Sequence, residues 1–189
     1  MRKIVWSMTV SLDGFMEAPG HDLSWHAITA SVHQYFNDVL RPMSAFLDGR
    51  RTWELMAEYW PTADEDPTEP DQIKEFAGIW RDKQKYVYSR TLDESALDWN
   101  TTLVRDVVPD EVRALKEQPG GDMALGGADL GSTFMRLDLI DEYGVLVVPI
   151  VLGEGTPMFK PADHRVGLQH VETRTFDNGA VLLRYERAW

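Results

Sequence analysis

The sequence predicts one α/β domain spanning residues 1–189, in which helices flank a central mixed sheet and an antiparallel hairpin forms its carboxy-terminal edge. Two patterns carry that prediction. Short β-branched runs alternate with amphipathic helical stretches over the first three quarters of the chain, the signature of parallel strands joined by helical crossovers. The last two such runs are separated only by Asp177, Asn178 and Gly179, a hairpin turn sequence. Composition sets the size: 189 residues at 43% hydrophobic and 26% charged suit a single domain, and seven Trp, seven Phe and six Tyr supply a core that needs no covalent staple. The chain has no cysteine, which excludes thiolate zinc sites, iron–sulfur clusters and thiol nucleophiles.

Taken in order, residues 4–12 are rich in β-branched and aromatic side chains and end at Asp13 and Gly14, so they predict a buried strand closing in a turn. Over residues 24–40, Trp25, Ile28, Val32, Tyr35, Phe36, Val39 and Leu40 recur at helical spacing and predict one amphipathic helix with His26, His33 and Asn37 on its polar face. Residues 44–47 predict a strand, residues 48–52 a tight turn, and Trp53, Met56, Tyr59 and Trp60 the helix that follows. Residues 62–75 hold six acids and one lysine between prolines and predict an exposed, solvated loop. Residues 85–88 and 102–104 predict short strands, and Pro109–Glu117 predicts a helix with proline in its first turn. Residues 123–125 lead through Gly126 and Gly127 into a helix marked by Leu130, Phe134 and Leu137. Residues 142–152 predict a long apolar strand beside the terminal hairpin of residues 168–176 and 180–186.

Charge narrows the partners. Nineteen Lys and Arg against 31 Asp and Glu give a net charge of −12, which argues against nucleic acid and anionic membrane surfaces. The apolar part of the amino-terminal segment is too short and interrupted for a secretion signal, and no run approaches the roughly 18 apolar residues of a membrane span. A cytoplasmic protein acting on a small molecule is expected.

Three strand ends carry Gly, Ser, Thr or Arg: Gly49, Arg50, Arg51 and Thr52; Ser89, Arg90 and Thr91; and Gly126, Gly127, Ala128 and Asp129. In open α/β sheets ligands bind beyond the carboxyl ends of strands, and two of these turns open helices whose free amides favour anions. Each alone is as well explained by chain reversal; side by side they suggest a dinucleotide. Neither GxGxxG nor a P-loop occurs, so the cradle is of another kind. No HExxH or DxDxDG pattern occurs, and His26 and His33 read as a solvated stripe, so no metal is assigned.

The run Gly49, Arg50, Arg51, Thr52, Trp53, Glu54 resembles the glycine–arginine–any–threonine turn of dihydrofolate reductases. Four further segments join it in order: Ser11 to Phe15 around Asp13-Gly14, Tyr88-Ser89-Arg90-Thr91-Leu92, Leu125-Gly126-Gly127-Ala128-Asp129-Leu130, and Leu139-Ile140-Asp141-Glu142 running on through residues 148–159. Together, over nearly the whole chain, they resemble the dihydrofolate reductase-like family related to the carboxy-terminal reductase domain of riboflavin biosynthesis. The resemblance implies a mixed sheet of about eight or nine strands that binds NADPH in an extended pose. It implies that Arg50, Arg51 and Thr52 meet phosphates, that Ser89 and Arg90 meet the adenosine 2′-phosphate, and that Gly126, Gly127, Ala128, Asp129 and Leu130 hold the pyrophosphate, with Gly49 and Thr91 also in the cofactor site and the Gly126–Gly127 peptide cis. Arg90 with Ser89 then selects NADPH over NADH, because at physiological salt charges beyond about 8 Å are screened and the local cations outweigh the global charge.

The implied activity is an NADPH-dependent reductase that transfers a hydride to a planar pterin-like or pyrimidine-like heterocycle, with a proton supplied by a raised-pKa acid or by water positioned by one. Asp13 is the first candidate for that acid, although an Asp-Gly pair also caps its own loop. Asp22, in an Asp22-Leu23-Ser24-Trp25 segment resembling the start of a folate-binding helix, is the second. Trp25, Phe36 and Trp60 are candidates to wall the substrate, with core packing as the other explanation of each. A phosphoribosyl-binding cluster typical of the riboflavin-pathway 5-amino-6-(5-phosphoribosylamino)uracil reductase is not evident. That enzyme, a dinucleotide-binding protein without turnover and a structural dimer subunit remain the alternatives. A homodimer is expected, both from the resemblance and because a long apolar strand near the sheet edge needs covering.

Overall fold

The computed structural model describes residues 1–188. In chain order its elements are β1 (Ile4–Ser11), β2 (Phe15–Glu17), α1 (Ala30–Leu40), β3 (Ala45–Gly49), α2 (Arg50–Tyr59), α3 (Asp71–Asp82), β4 (Gln84–Tyr88), β5 (Thr101–Val104), α4 (Pro109–Glu117), β6 (Met123–Gly126), α5 (Ala128–Arg136), β7 (Glu142–Val148), β8 (Thr156–Pro157), β9 (Leu168–Thr175) and β10 (Val181–Arg187). Eight strands form one sheet in the order β5-β4-β3-β6-β1-β7-β10-β9, and β2 pairs with β8 apart from it. All neighbours from β5 to β7 are parallel, while β10 runs antiparallel to both β7 and β9. This is the mixed α/β sheet with a terminal hairpin that the alternation of elements predicts.

The core follows from which faces are apolar. Ile4, Trp6, Leu47, Met123, Phe134 and Ile140 are essentially inaccessible where α5 covers β1, β3 and β6. Each fully buried side chain of that kind contributes about 1.5–3 kcal/mol. The close approach needs Gly131, where a Cβ would run into the Trp6 indole. Phe46, Trp53, Phe76, Trp80 and Val87 form a second cluster, and Val32, Leu146, Phe176 and Leu182 a third, next to α1.

Several expectations need correction. The single helix over residues 24–40 is two pieces: a 3-10 turn at Ser24–His26 and then α1, separated by Ala27 in the left-handed region at φ 46°. Tertiary bonds override the helical spacing there, since a His26 Nε2 contact to the Met16 carbonyl at 3.0 Å pins the turn over β2. The polar face of α1 is not solvated either. Asn37 is fully buried, and its Nδ2 donates to the Gln72 carbonyl at 2.8 Å and to Glu75 at 3.0 Å, which locks α1 onto α3.

The acidic stretch over residues 62–75 is more structured than its composition suggests. A 3-10 turn at Trp60–Glu65 buries Pro61 and Ala63, and α3 begins at Asp71. Arg81 forks onto Asp64 through two bonds of 2.6 Å, an anchor from outside the acidic stretch. The long strand expected at residues 142–152 ends at Val148, before Pro149, which has no N–H to give to a ladder. It also lies inside the sheet between β1 and β10, so the argument that it is an apolar edge in need of a dimer partner fails. No cis peptide occurs among the described residues; Gly127 makes its turn instead with φ 88° and ψ 149°. No helix among the described residues is long and apolar enough to cross a membrane.

Candidate functional site

Two helices start directly from strand ends without a side-chain cap. Gly49 links β3 to α2 and Gly127 links β6 to α5, so in both the first amide groups point past the sheet edge unpaired by any cap. The strands are neighbours, with Asp48 opposite Gly126 in register, and the two turns therefore stand side by side. Thr52 packs against the second turn: a Cβ on Gly127 would sit 2.7 Å from its Oγ1. Beneath them the buried Asp48 carboxyl is pushed up to about 7 by desolvation, which the Lys85 charge only partly offsets.

A cleft of about 810 Å³ runs along this edge. Gly49, Arg50, Arg51, Thr52, Ser89, Arg90, Gly127, Ala128, Asp129 and Leu130 all line it, whereas Gly126 and Thr91 do not. The three turns that the sequence marks thus do converge. Arg105, Asp106 and Arg136 join them, which the sequence reading misses although Arg105, like Arg90, lies just past a predicted strand. Arg90 is paired with Asp106 at 2.5 Å, so the acid already occupies the guanidinium expected to select the cofactor. Arg105 Nη1 donates to the Leu92 carbonyl at 2.8 Å and supports the Ser89 turn, whose hydroxyl accepts from the Leu92 amide at 3.0 Å. Asp129, an acid at the α5 start, is neutralised by an ion pair to Lys160.

The other end of the cleft is built differently. Met8, Met16, Leu23, Leu55 and Met56 give it apolar walls, while Glu17, His26 and Thr156 supply polar atoms. Glu17 lies on β2 opposite Thr156 of β8. Burial works to raise its pKa, but bonds from Thr156 Oγ1 at 2.7 Å and His21 Nδ1 at 2.9 Å, together with the Arg51 charge, lower it overall. Burial also lowers the His26 pKa. No local sequence signal marks Glu17, because its partner strand lies far along the chain.

The candidates for chemistry are placed elsewhere. Asp13 is exposed and does not line the cleft; its carboxylate accepts from the Gly153 amide at 2.7 Å and the Leu152 amide at 3.1 Å, fastening two loops. The Ser11 hydroxyl first, and then those amides, hold its pKa down at about 2. Asp22 is likewise exposed and lowered, by its bonds to Ser24. Neither is a raised-pKa acid. Trp25 sits beside the cleft, edge-on to His26 at 4.4 Å, with its Nε1 donating to the Asp22 carbonyl. Phe36 packs on Tyr35 in the third core cluster and Trp60 against Phe76 at 4.4 Å in the second, so neither faces the cleft.

Comparison with known proteins places this arrangement. The family described as the RibD C-terminal domain matches residues 2–182. The uncharacterized protein YyaP of Bacillus subtilis is 37% identical over 185 residues, covering 97% of this chain and 94% of its own. Among solved structures, a Shewanella sp. PV-4 protein assigned to riboflavin biosynthesis superposes with a TM-score of 0.79 at 21% identity, over 100% of both chains. A Thermotoga maritima diaminohydroxyphosphoribosylaminopyrimidine deaminase/5-amino-6-(5-phosphoribosylamino)uracil reductase gives a TM-score of 0.67 at 16% identity, over 99% of this chain and 57% of that longer one.

Proposed function

Because the chain belongs to the RibD C-terminal domain family, we propose that it is a cytoplasmic, NADPH-dependent reductase of a small planar heterocycle. The observation that carries this reading is the convergence of two uncapped helix starts, at Gly49 and Gly127, with Arg50, Arg90, Arg105 and Arg136 along one edge of the cleft. Free amides and guanidinium forks are what a ligand with several phosphates requires. The residues present therefore fit a dinucleotide phosphate: the amides after Gly49 and Gly127 would hold the pyrophosphate, and Arg90 with Ser89 the 2′-phosphate once Asp106 is displaced.

When bound, NADPH would supply a hydride to a C=N or C=O carbon of the substrate. The protein's part is to hold both flat rings between the Met8, Met16, Leu55 and Met56 side chains and keep water from the reacting face. The balancing proton goes to the neighbouring heteroatom from water at the open mouth, since Asp13, Asp22 and Glu17 are all held toward their ionised forms. That same observation favours a second reading, a dinucleotide-binding protein without turnover. Following NADPH absorbance with a panel of folates, pterins and ribosylaminopyrimidines separates the two. Oxidation with any member supports the reductase, binding without oxidation supports the second reading, and absence of NADPH binding rejects both.

A homodimer remains part of the proposal, now resting on β9, which among the described residues pairs only with β10 and exposes Leu168 and Val171 at the sheet edge. Sedimentation equilibrium giving only a 21.6 kDa species rejects it.

A further inference from the structure

We propose that Asp48 makes the dinucleotide site proton-sensitive: its buried carboxyl, lying against the Gly126–Gly127 turn, tolerates a bound diphosphate while it carries a proton and opposes it by like charge once ionised. The inference rests on the reading above in one respect, that the turns at Gly49 and Gly127 hold the dinucleotide.

The sheet sets the placement. Asp48 precedes Gly49 on β3 and stands opposite Gly126 of β6 in register, so it adjoins both turns. Its carboxyl is directed at the second of them. A Cβ on Gly126 would run into Asp48 Oδ1, and the same point lies 3.1 Å from Thr52 Cγ2. The residue is 4% exposed. A buried acid therefore lies against a glycine turn whose next residue, Gly127, lines the cleft.

The surroundings leave an ionised Asp48 uncompensated. Among the described residues no hydrogen-bond donor reaches its carboxyl, and the charge that faces it is Lys85, from β4. All three protons of that ammonium are engaged elsewhere. Lys85 Nζ donates to the Lys83 and Trp99 carbonyls at 2.7 Å each and to the Arg81 carbonyl at 3.5 Å, and it stands 4.3 Å from the centre of the Trp80 ring. Asp82 of α3 draws on the same amine. From α2 the Thr52 methyl approaches, while Arg50 and Arg51 of its first turn face Glu54 and Glu17. Desolvation therefore governs the carboxyl and pushes its pKa up to about 7. A diphosphate held by the amides that follow Gly49 and Gly127 brings negative charge to the other side of the turn, where little solvent screens it. Each charge then disfavours the other. By linkage, binding raises the Asp48 pKa, so affinity is full below about pH 7 and declines as the pH rises beyond it. Asparagine keeps the shape of the protonated acid and removes the response.

Carboxyl-carbon NMR of the aspartate-labelled full chain, free and saturated with NADPH, follows the Asp48 titration directly, and calorimetry gives NADPH affinity for wild type and Asp48→Asn over the same pH range. The Asp48 pKa is expected to rise by about one unit on binding, which corresponds to about a tenfold change in affinity. The two proteins should then bind NADPH alike near pH 5.5, and the variant about tenfold more tightly near pH 8.5. Comparing them cancels the ionisation of the 2′-phosphate itself, which falls near pH 6. An Asp48 pKa that NADPH leaves unmoved, or an affinity ratio constant with pH, overturns the proposal, and the wild-type NMR titration needs no variant to fold. Absence of NADPH binding at every pH defeats the cofactor reading and this inference with it, whereas binding with a constant ratio defeats this inference alone.

Discussion

The two ends of the cleft differ in how the chain makes them. The cation-rich end consists of strand-to-helix turns, each a short contiguous run such as Gly49 to Thr52. The Glu17 end is assembled from a two-residue strand, Thr156–Pro157, paired with Phe15–Glu17, and from 3-10 turns at Pro19–His21 and Ser24–His26. Their carboxyl groups also respond oppositely: desolvation drives the buried Asp48 up to about 7, while hydrogen bonds and Arg51 bring Glu17 down. One end presents backbone amides that no side chain caps, the other a carboxylate held toward its ionised form.

The largest effect that sharpens this contrast is expected from Gly127→Ala. A Cβ there meets Thr52 Oγ1 at 2.7 Å and demands φ 88° of an alanine, so the amide pair moves. NADPH affinity should fall about a hundredfold, about 2.8 kcal/mol, as read by fluorescence titration. Binding of a panel heterocycle to cofactor-free protein should be unaffected. The converse change, Glu17→Gln, should lower kcat/KM for a reacting panel member about tenfold without altering the KM for NADPH. If both variants damage both ligands equally, the two ends are not separate.

That contrast also explains what the sequence makes legible. The α/β order, the terminal hairpin and the three turns are written in contiguous runs, and the chain folds them as read. The Glu17 end is not, because Glu17 gains its partners from Thr156 across the chain and from His21 in a left-handed turn with no strong residue signature. Aromatic side chains mislead for a related reason. Phe36 and Trp60 have the composition of a ring-binding wall, but helices α1 and α3 draw them into packing with Phe176 and Phe76. The 24–40 periodicity fails at Ala27, where the His26 and Met16 contact outweighs helix propensity.

A smaller effect divides the cation end itself. Arg90→Ala should reduce the NADPH over NADH preference about tenfold, the value of one charged hydrogen bond. Asp106→Asn should raise NADPH affinity a few-fold, because the ligand no longer competes with the 2.5 Å ion pair. An unchanged ratio in Arg90→Ala would assign the guanidinium to solvating its turn.

The last effect is read on stability and not on either ligand, and it concerns the floor. Asp48 holds its proton to about pH 7 in the folded chain, against about 3.9 when unfolded, so stability declines as pH rises between those values and levels off above 7. Asp48→Asn should therefore melt several degrees above wild type at pH 8, with the advantage vanishing toward pH 4 in a calorimetric series. No change in the difference with pH would mean that Asp48 is ionised and paired.

The central claim, that the cation-rich edge of the cleft holds NADPH, is tested most directly by titrating NADPH into wild type, Gly127→Ala and Arg50→Ala, with thermal melting to verify folding. One site per chain, weakened about a hundredfold in Gly127→Ala and about tenfold in Arg50→Ala, with both variants still melting cooperatively and Gly127→Ala a few degrees below wild type, is the predicted result. No binding to wild type, or equal binding to all three proteins, would contradict it.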